Sequence, residues 1–525
     1  MRTVLLELDR SAARADADPI ANAAAFERRP LQHAANLGAA FVEVARSRPA
    51  HAALVTKDAI YTYAWLRHAA ESVSRFLKGR PGYQPGERVA LQLANSPEYV
   101  AAYYGVLLAD GVVMPLPVPL EASRRDQVVA LCRPSVLLSR RGDIGEGDAL
   151  GATALRLDGE GELSPPAPRR DRQDVAMLLL TSGSTGTSKA VMLSHGNLLS
   201  NADSILQILP IKADDRALVV IPFCHAFGNS VLHTHVLAGA TLLLHGPLIF
   251  PAAIVGALRD LQATSFSAVP EVYNMLLKFG GLRGRPLPAL RYMSVAGGEL
   301  RNESALQLAD SIEPASFHMM YGQSEASARL AVLAPHDLKR RPGSIGKPIP
   351  NVELTVRNDD GSESADGEVG MLCARGPNVM LGYWDDPVST AEVLDRDGWL
   401  RTGDLAHRDA DGAFYLHGRA NLLTKVQGHR VHPAEIESVV ENAFPHARAA
   451  ATPVARGDDM RFVLFLAPRD NRPIDVAKVR ALCQRELPPY KVPVRFEMLE
   501  RLPLTTGFKI DRAALSRLVT PSSVA

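Results

Sequence analysis

The sequence predicts an α/β protein: a large N-terminal domain of mostly parallel sheets flanked by helices, with a small β-rich part, and a small α+β C-terminal domain. Between Leu31 and about Lys347, short apolar runs bounded by glycine, proline or charge alternate with amphipathic helical patterns. This alternation is typical of parallel sheets that helices cover on both faces. Beyond Lys347, apolar and polar residues alternate around the turn signal Asp360-Gly361, which predicts antiparallel hairpins.

The elements of the large domain can be followed in order. Apolar residues at three- and four-residue spacing predict a helix over 64–77, and the next segments predict a strand over 88–95 and a helix over 99–110. Residues 1–30 are rich in alanine and charge, which predicts a loosely held leader. Four further short apolar runs predict buried strands at 175–180, 217–222, 240–245 and 290–297.

The C-terminal part has its own pattern. A helix is predicted over 432–444, a strand over 461–468 and a second helix over 478–487. These elements predict a small α+β unit. We therefore divide the chain into an N-terminal domain, residues 1–420, and a C-terminal domain, residues 421–525.

Composition excludes several classes of protein. The 525 residues are 46% hydrophobic and 22% charged, and the formal net charge is +1, which argues against general binding to nucleic acid. No uncharged run approaches the ~20 residues that span a bilayer, and the apolar run near the N-terminus is too short for a signal peptide. The four cysteines form no CxxC pair, as is typical of reduced thiols. We expect a cytoplasmic protein without a membrane span.

A hydroxyl-rich segment follows the strand predicted at 175–180. Its glycines permit a tight turn that brings backbone N–H groups towards an anion, and its lysine adds a positive charge. The spacing GSTGTSK differs from that of a P-loop; an ordinary polar turn remains the alternative. The candidate phosphate-binding residues are Thr181, Ser182, Gly183, Ser184, Thr185, Gly186 and Lys189.

This segment resembles the phosphate loop of the adenylate-forming superfamily, which includes acyl-CoA synthetases, adenylation domains of peptide synthetases and luciferases. Five other segments resemble the motifs of that superfamily in the same order. The resemblance runs from about Leu31 to Leu518 and is strongest to acyl-CoA synthetases and acyl–acyl-carrier-protein ligases. The five segments are AGGEL (296–300), MMYGQSEA (319–326), TGDLAHRDADGAFYLHGR (402–419), KVQGHRVHPAEIE (425–437) and LPLTTGFKIDR (502–512).

The resemblance implies ATP and Mg²⁺ as cofactors and assigns residues to them. Glu325 would bind Mg²⁺ and act in catalysis, and Ser324 would bond the α-phosphate. Tyr321 would offer its ring face to adenine, and Asp404 would accept hydrogen bonds from the ribose hydroxyls. The other residues assigned to the nucleotide are Gly297, Gly298, Glu299, Gly322 and Arg419.

The resemblance also assigns the C-terminal domain as a mobile lid. Lys509 would bridge the carboxylate and the α-phosphate in the transition state, and Asn421 would be the hinge of the lid. Gly428 would line a tunnel for pantetheine, either of coenzyme A or of an acyl carrier protein. The sequence departs from the family pattern at Phe508, which precedes the lysine where glycine is common.

The segment 221–244 resembles the part of the family that binds the acid. It contains no Asp or Glu, so an amino acid, whose ammonium group would need a counter-charge, is disfavoured. His225 matches a residue near the substrate carboxylate. We therefore expect a fatty or simple aryl acid as the small-molecule substrate.

The predicted function is ATP-dependent formation of an acyl-adenylate and transfer of the acyl group to a pantetheine thiol. Three alternatives stay open from the sequence. They are an amino-acid adenylation enzyme, a luciferase-like oxygenase and a non-catalytic member of the fold.

Overall fold

A computed structural model describes most of the chain, which divides into two compact units. The first unit comprises residues 1–354 and 374–400, and the second comprises residues 355–373 and 401–525. None of the described helices is long and apolar enough to cross a membrane. The described residues are 1–8, 31–144, 152–157, 169–182, 188–246, 250–282, 284–427, 429–456, 459–470, 472–504 and 510–519.

One sheet of the first unit has eight strands among the described residues. The first two pairs in the strand order given below are antiparallel, and all the other neighbouring strands pair in parallel. Its central strands are fully buried, which explains why their sequences are continuously apolar. In spatial order the strands are Gly382–Tyr383, Ser188–Ser194, Val175–Ser182, Val112–Leu116, Arg88–Gln92, Val136–Ser139, Arg2–Leu8 and Thr153–Leu157.

A second sheet of the first unit has a parallel centre. Six neighbouring strands pair in parallel; in the order given below they run from Ser316–Tyr321 to Ala52–Thr56. The carboxyl ends of these six strands therefore lie at one edge of the sheet. Open parallel sheets bind ligands at this edge. In spatial order the strands within this unit are Ser344–Pro348, Ala331–Leu333, Ser316–Tyr321, Tyr292–Val295, Ser265–Ala268, Arg216–Val219, Thr241–Leu244, Ala52–Thr56 and Ile60–Thr62.

Helices connect the strands of both sheets. The Pro97–Leu108 helix is buried on all sides, which makes it part of the core; it begins where the Ser96 hydroxyl accepts a hydrogen bond from the Tyr99 backbone N–H. The described α-helices of this unit are Leu37–Ser47, Tyr63–Lys78, Pro97–Leu108, Ala122–Cys132, His195–Ile208, Ala226–Leu237, Pro251–Asp260, Pro270–Met275, Asn302–Ile312 and Pro387–Val393. Shorter turns are the 3-10 helices Leu31–His33, Ser324–Ala326 and Pro335–Asp337 and the π-helical Leu276–Gly280.

The second unit combines short strands with helices. A core of buried apolar residues, including Ile436, Val440 and Leu464, joins its first helix to its longest strands. The strands that lie mostly in this unit are Glu353–Arg357, Gly370–Arg375, Leu400–Arg408, Phe414–Arg419, Thr424–Val426, His429–Val431, Ala447–Arg456, Asp459–Pro468 and Arg495–Met498. Its described helices are Pro433–Ala443, Val476–Glu486 and Arg512–Leu518, with 3-10 turns at Ala420–Leu422 and Pro489–Lys491.

The predicted α/β fold class is confirmed, with small differences at the ends of elements. The helix predicted over 64–77 is Tyr63–Lys78. The strand predicted over 88–95 ends at Gln92, because Asn95 bonds a loop instead of a neighbouring strand. Its side chain donates to the Ile221 carbonyl and accepts from the Phe223 N–H, each at 2.8 Å.

The prediction of a loose leader over residues 1–30 is wrong for the strand Arg2–Leu8. This strand pairs in parallel with a neighbour on each side, and Val4, Leu5 and Leu6 are buried. The short apolar run suffices because both of its edges are paired. Residues 9–30 lie outside the described residues.

The division by contacts differs from the predicted domain boundary. Residues 355–373 and 401–420 belong to the second unit, whereas the predicted boundary at residue 420 placed them in the N-terminal domain. The predicted boundary lies at residue 420 because Asn421 is the predicted hinge. Contacts within one conformation do not test whether the chain rotates there. The hinge stays a prediction.

Candidate active site

Candidate residues lie at or just beyond the carboxyl ends of three strands of the second sheet, Arg216–Val219, Tyr292–Val295 and Ser316–Tyr321; the first two are separated by the strand Ser265–Ala268. The parallel pairing brings these strand ends together from distant parts of the chain. A Cβ atom built on Gly298 would lie 3.4 Å from Pro270, so the glycine turn lies against the segment that follows the neighbouring strand. The predicted residues at this edge are His225, Gly297, Gly298, Glu299 and Tyr321.

The segment predicted to bind phosphate joins two antiparallel strands, Val175–Ser182 and Ser188–Ser194. Thr181 lies opposite Lys189, and the Thr181 hydroxyl donates to the Lys189 carbonyl at 3.4 Å. This hairpin differs from the strand–loop–helix arrangement of a P-loop. Four predicted residues (Gly183, Ser184, Thr185 and Gly186) and the side chain of Ser182 lie outside the described residues, so their phosphate contacts stay predictions.

The predicted magnesium carboxylate and the predicted phosphate-binding lysine meet at Tyr383. The Tyr383 hydroxyl donates to Glu325 Oε1 at 3.0 Å, and Lys189 Nζ lies 4.8 Å from the centroid of the same ring. Strand pairing explains this geometry. Tyr383 lies opposite Val191, so its ring is diagonal to Lys189 on the same face of the sheet.

This cluster fits the phosphates of a nucleotide with Mg²⁺. Among the described residues, no group of three or more His, Cys, Asp or Glu side chains could hold a metal alone. Mg²⁺ is commonly bound by one or two carboxylates together with phosphate oxygens. Glu325 is a half-buried carboxylate suited to that arrangement, and Lys189 supplies positive charge for phosphate.

The backbone around Ser324 and Glu325 is a strained turn. Ala328 has φ 136°, a value rare for a residue with a Cβ atom. A Cβ atom on Gly322 would lie 2.0 Å from the Ala328 carbonyl oxygen, so this close approach requires glycine. The Asn378 amide donates to the Ala326 carbonyl at 3.2 Å. Such strain persists where surrounding contacts enforce it and is frequent at functional sites.

His225 immediately precedes the Ala226–Leu237 helix. It is half-buried, and burial lowers its pKa, so the ring is neutral at pH 7. No described residue forms a hydrogen bond with the ring. A Cβ atom on Gly228 would lie 2.1 Å from the Pro222 carbonyl oxygen, so the first turn of this helix packs directly on the preceding loop. A neutral imidazole can donate one hydrogen bond to a carboxylate.

In the second unit, Asp404 and Arg419 form an ion pair. They lie opposite each other on antiparallel strands, with Arg419 Nε 2.9 Å from Asp404 Oδ1. Arg419 Nη1 also donates to the Thr402 carbonyl at 3.0 Å, and His432 Nε2 donates to the Arg419 carbonyl at 2.9 Å. The pair is thus held in place, while its predicted contacts with ribose stay predictions.

Three residues assigned to the lid cannot be placed in the same way. Lys509 and Gly428, like Phe508, lie outside the described residues. The backbone of Asn421 lies in the 3-10 turn Ala420–Leu422, but its side chain is outside the described set. The catalytic, pantetheine-binding and hinge roles of these residues stay predictions.

Residues 41–384 match the family described as AMP-binding enzyme. The chain belongs to this family. A feruloyl-CoA synthase from Amycolatopsis is 32% identical over 92% of this chain and 98% of its own length. A long-chain-fatty-acid–CoA ligase from Salmonella typhimurium is 30% identical over 88% of this chain and 91% of its own. Among solved structures, ATP-bound MatB from Rhodopseudomonas palustris is 27% identical, with a TM-score of 0.82 over 92% of this chain and 99% of its own.

Two residues of the site were not predicted from the sequence, Tyr383 and Arg329. The contacts of Tyr383 with Glu325 and Lys189 follow from the pairing of strands that are distant in the sequence. Arg329 has a signal in the sequence, because it is the sole charge in the apolar run 326–333. It is 3% exposed, and its guanidinium carbon lies 4.1 Å from the centroid of the Phe227 ring.

Proposed function

We propose that this enzyme activates a carboxylic acid with ATP, releases pyrophosphate and passes the acyl group from the acyl-adenylate to a pantetheine thiol. The contact of Glu325 and Lys189 with one tyrosine, Tyr383, carries this proposal. It places a carboxylate suited to Mg²⁺ and a cation suited to phosphate around a single buried ring.

The reaction requires neutralised phosphates and two reactants held in line. A carboxylate oxygen attacks the α-phosphorus, the bond to the bridging oxygen of the β-phosphate breaks, and pyrophosphate leaves with its negative charge. Lys189 and the hydroxyl residues of the predicted phosphate loop would stabilise this charge, and Tyr383 would hold Glu325 in position. Mg²⁺ bound at Glu325 would supply further charge neutralisation. Lys509 would contact the attacking carboxylate and the α-phosphate.

The nucleotide would lie at the carboxyl edge of the second sheet. Tyr321 and the turn with Gly297, Gly298 and Glu299 would border adenine, as the resemblance implies. In the second unit, Asp404 would accept hydrogen bonds from ribose. The ion pair with Arg419 supports this role because it holds Asp404 Oδ1 and so fixes the orientation of the carboxylate.

The acid is proposed to be fatty or aryl. The relatives include a feruloyl-CoA synthase and a long-chain-fatty-acid–CoA ligase. Segment 221–244 has no acidic residue to pair with an ammonium group. Neutral His225 would donate a hydrogen bond to the reacting carboxylate.

Coenzyme A is the proposed acceptor, and the cytoplasm is the proposed location. Three relatives are named as a feruloyl-CoA synthase, an indoleacetate–CoA ligase and a long-chain-fatty-acid–CoA ligase. The phosphopantetheine arm of a carrier protein has the same thiol and is the competing acceptor, and Gly428 would line the path of either arm. Rotation about Asn421 would move the C-terminal domain from the orientation for adenylation to the orientation for thioester formation.

The experiment that tests this function is carboxylate-dependent exchange of pyrophosphate into ATP, without any thiol, over a panel of fatty, aryl and amino acids. Exchange with fatty or aryl acids is expected. Coenzyme A and an acyl carrier protein are then offered separately to the enzyme with the best acid. Exchange only with amino acids, or none with any acid, would contradict the proposal.

A further inference from the structure

The first unit contains a buried guanidinium that faces the helix of the acid-binding segment. Arg329 is 3% exposed, and its guanidinium carbon lies 4.1 Å from the centroid of the Phe227 ring. Phe227 is the second residue of the Ala226–Leu237 helix. The charge of Arg329 is therefore placed against the segment that we propose binds the acid.

Arg329 lacks a counter-charge among the described residues. Its Nη1 donates to the Ala328 carbonyl at 3.2 Å, and its Nε contacts Met320 Sδ at 3.5 Å. Both acceptors are neutral, and a guanidinium has five N–H donors. No described carboxylate forms an ion pair with it. Charged side chains are almost never fully buried unless they are paired.

The charge persists at neutral pH, and its position is fixed. Burial lowers the pKa of Arg329 to about 9, so the group stays protonated at pH 7. Its backbone carbonyl accepts hydrogen bonds from the side-chain amides of Asn201 at 3.1 Å and Asn378 at 2.8 Å. Together with the φ of 136° at Ala328, these bonds fix the backbone of Arg329, and its side chain is buried in the described structure.

The direction of the side chain distinguishes Arg329 from the phosphate-binding cluster. Glu325 lies four positions earlier and bonds Tyr383, whereas the guanidinium of Arg329 stacks on Phe227. The cation is thus directed to the helix of the acid segment and forms no ion pair with the predicted magnesium ligand.

We propose that Arg329 binds an anionic group on the acyl part of the substrate, so that the preferred acid carries a second carboxylate distant from the reacting one. This inference rests on the proposed function. A guanidinium presents a planar fork that matches a carboxylate with two parallel hydrogen bonds. The same positive charge would repel an ammonium group, which adds to the case against amino acids.

The test compares three acids of equal length: a monocarboxylic acid, the corresponding dicarboxylic acid, and its half-amide, a neutral isostere. Chain length is varied in aliphatic and aryl series, and kcat/KM is measured by ATP–pyrophosphate exchange. The wild-type enzyme should prefer the dicarboxylic acid at one length. Arg329→Met should reduce that preference on the order of 10- to 100-fold, and Arg329→Lys should retain part of it. Arg124→Met, which removes an exposed charge from the Ala122–Cys132 helix, should leave the preference unchanged.

Thermal unfolding with each acid provides a second measurement that does not need turnover. The dicarboxylic acid should raise the Tm of the wild-type protein more than the other two acids do, and Arg329→Met should abolish the difference. Absence of exchange with every acid would contradict the proposed function, while an Arg329-dependent shift in Tm would still support the anion site. Equal losses for all three acids, equal preference for the half-amide, or a lower Tm of Arg329→Met without a change in selectivity would overturn the inference.

Discussion

Replacement of Tyr383 by phenylalanine removes one hydroxyl and keeps the ring. The lost contact is the 3.0 Å hydrogen bond to Glu325 Oε1, while the ring can still lie beside Lys189 Nζ. Tyr383 is 7% exposed, so phenylalanine should pack in the same space. The variant therefore isolates the contribution of the hydroxyl to the orientation of the predicted magnesium ligand.

The size of the effect follows from the burial of the two partners. A hydrogen bond to a charged group contributes about 1.5–3 kcal/mol. Because Glu325 is half-buried, water can replace part of the lost bond, which leaves about 1–2 kcal/mol. This corresponds to a loss of about 5- to 30-fold in kcat/KM for ATP. Tyr383→Leu also removes the ring and should lose more, because a cation–π contact contributes about 0.5–2 kcal/mol.

The assay is pyrophosphate exchange at a series of Mg²⁺ concentrations. Tyr383→Phe should require more Mg²⁺ for half-maximal rate, with a Tm lower by at most about a few degrees. Tyr83→Phe, which removes a 2.7 Å hydrogen bond to the Ala109 carbonyl in the same unit, is the matched control and should not change the Mg²⁺ dependence. An unchanged Mg²⁺ requirement in Tyr383→Phe would refute the argument that this hydroxyl positions Glu325.

Three other predictions concern the second unit and the stability of the fold. Asp404→Ala should weaken ATP binding by about tenfold or more, because the ribose partner is lost and Arg419 loses its ion pair; unchanged ATP affinity by calorimetry would exclude the ribose role. Lys509→Ala should reduce adenylation by orders of magnitude and largely spare thioester formation from supplied acyl-adenylate, and equal losses in both half-reactions would contradict the two-orientation scheme. Burial lowers the pKa of His51, His195 and His318 to about 4, so between pH about 6.5 and 4 the unfolded chain binds protons that the folded chain does not. The free energy of unfolding should therefore fall as pH decreases through that window, by up to about 1.4 kcal/mol per pH unit for each histidine, and a flat dependence in urea titrations would contradict this.

The sequence supplies candidate site residues wherever they lie in short motifs. The phosphate hairpin, Glu325 and Asp404 each combine a particular residue type with a fixed position in a recognisable segment. The match over residues 41–384 confirms the family of the chain. Asp404 lies beyond that range, and the roles of all these residues stay predictions. The alternation of strands and helices likewise predicted the α/β fold, because buried parallel strands are continuously apolar.

The contacts that required the structure are those between distant segments. Gly382–Tyr383 is a strand of two residues, too short for a periodic signal, and its pairing with Ser188–Ser194 brings Tyr383 to Lys189. The strand Arg2–Leu8 was missed for a similar reason, since its apolar run has three residues. Arg329 stands out in its apolar run, but the sequence does not reveal that the described structure buries it without a counter-charge.

The most direct test of the central claim follows one oxygen atom. The enzyme is given ATP, coenzyme A and an acid whose carboxylate is labelled with oxygen-18, and AMP is analysed by mass spectrometry. Attack of the carboxylate on the α-phosphorus predicts that one labelled oxygen appears in AMP for each thioester formed. Unlabelled AMP, or label in inorganic phosphate with ADP as the product, would contradict the acyl-adenylate and with it the function proposed for this chain.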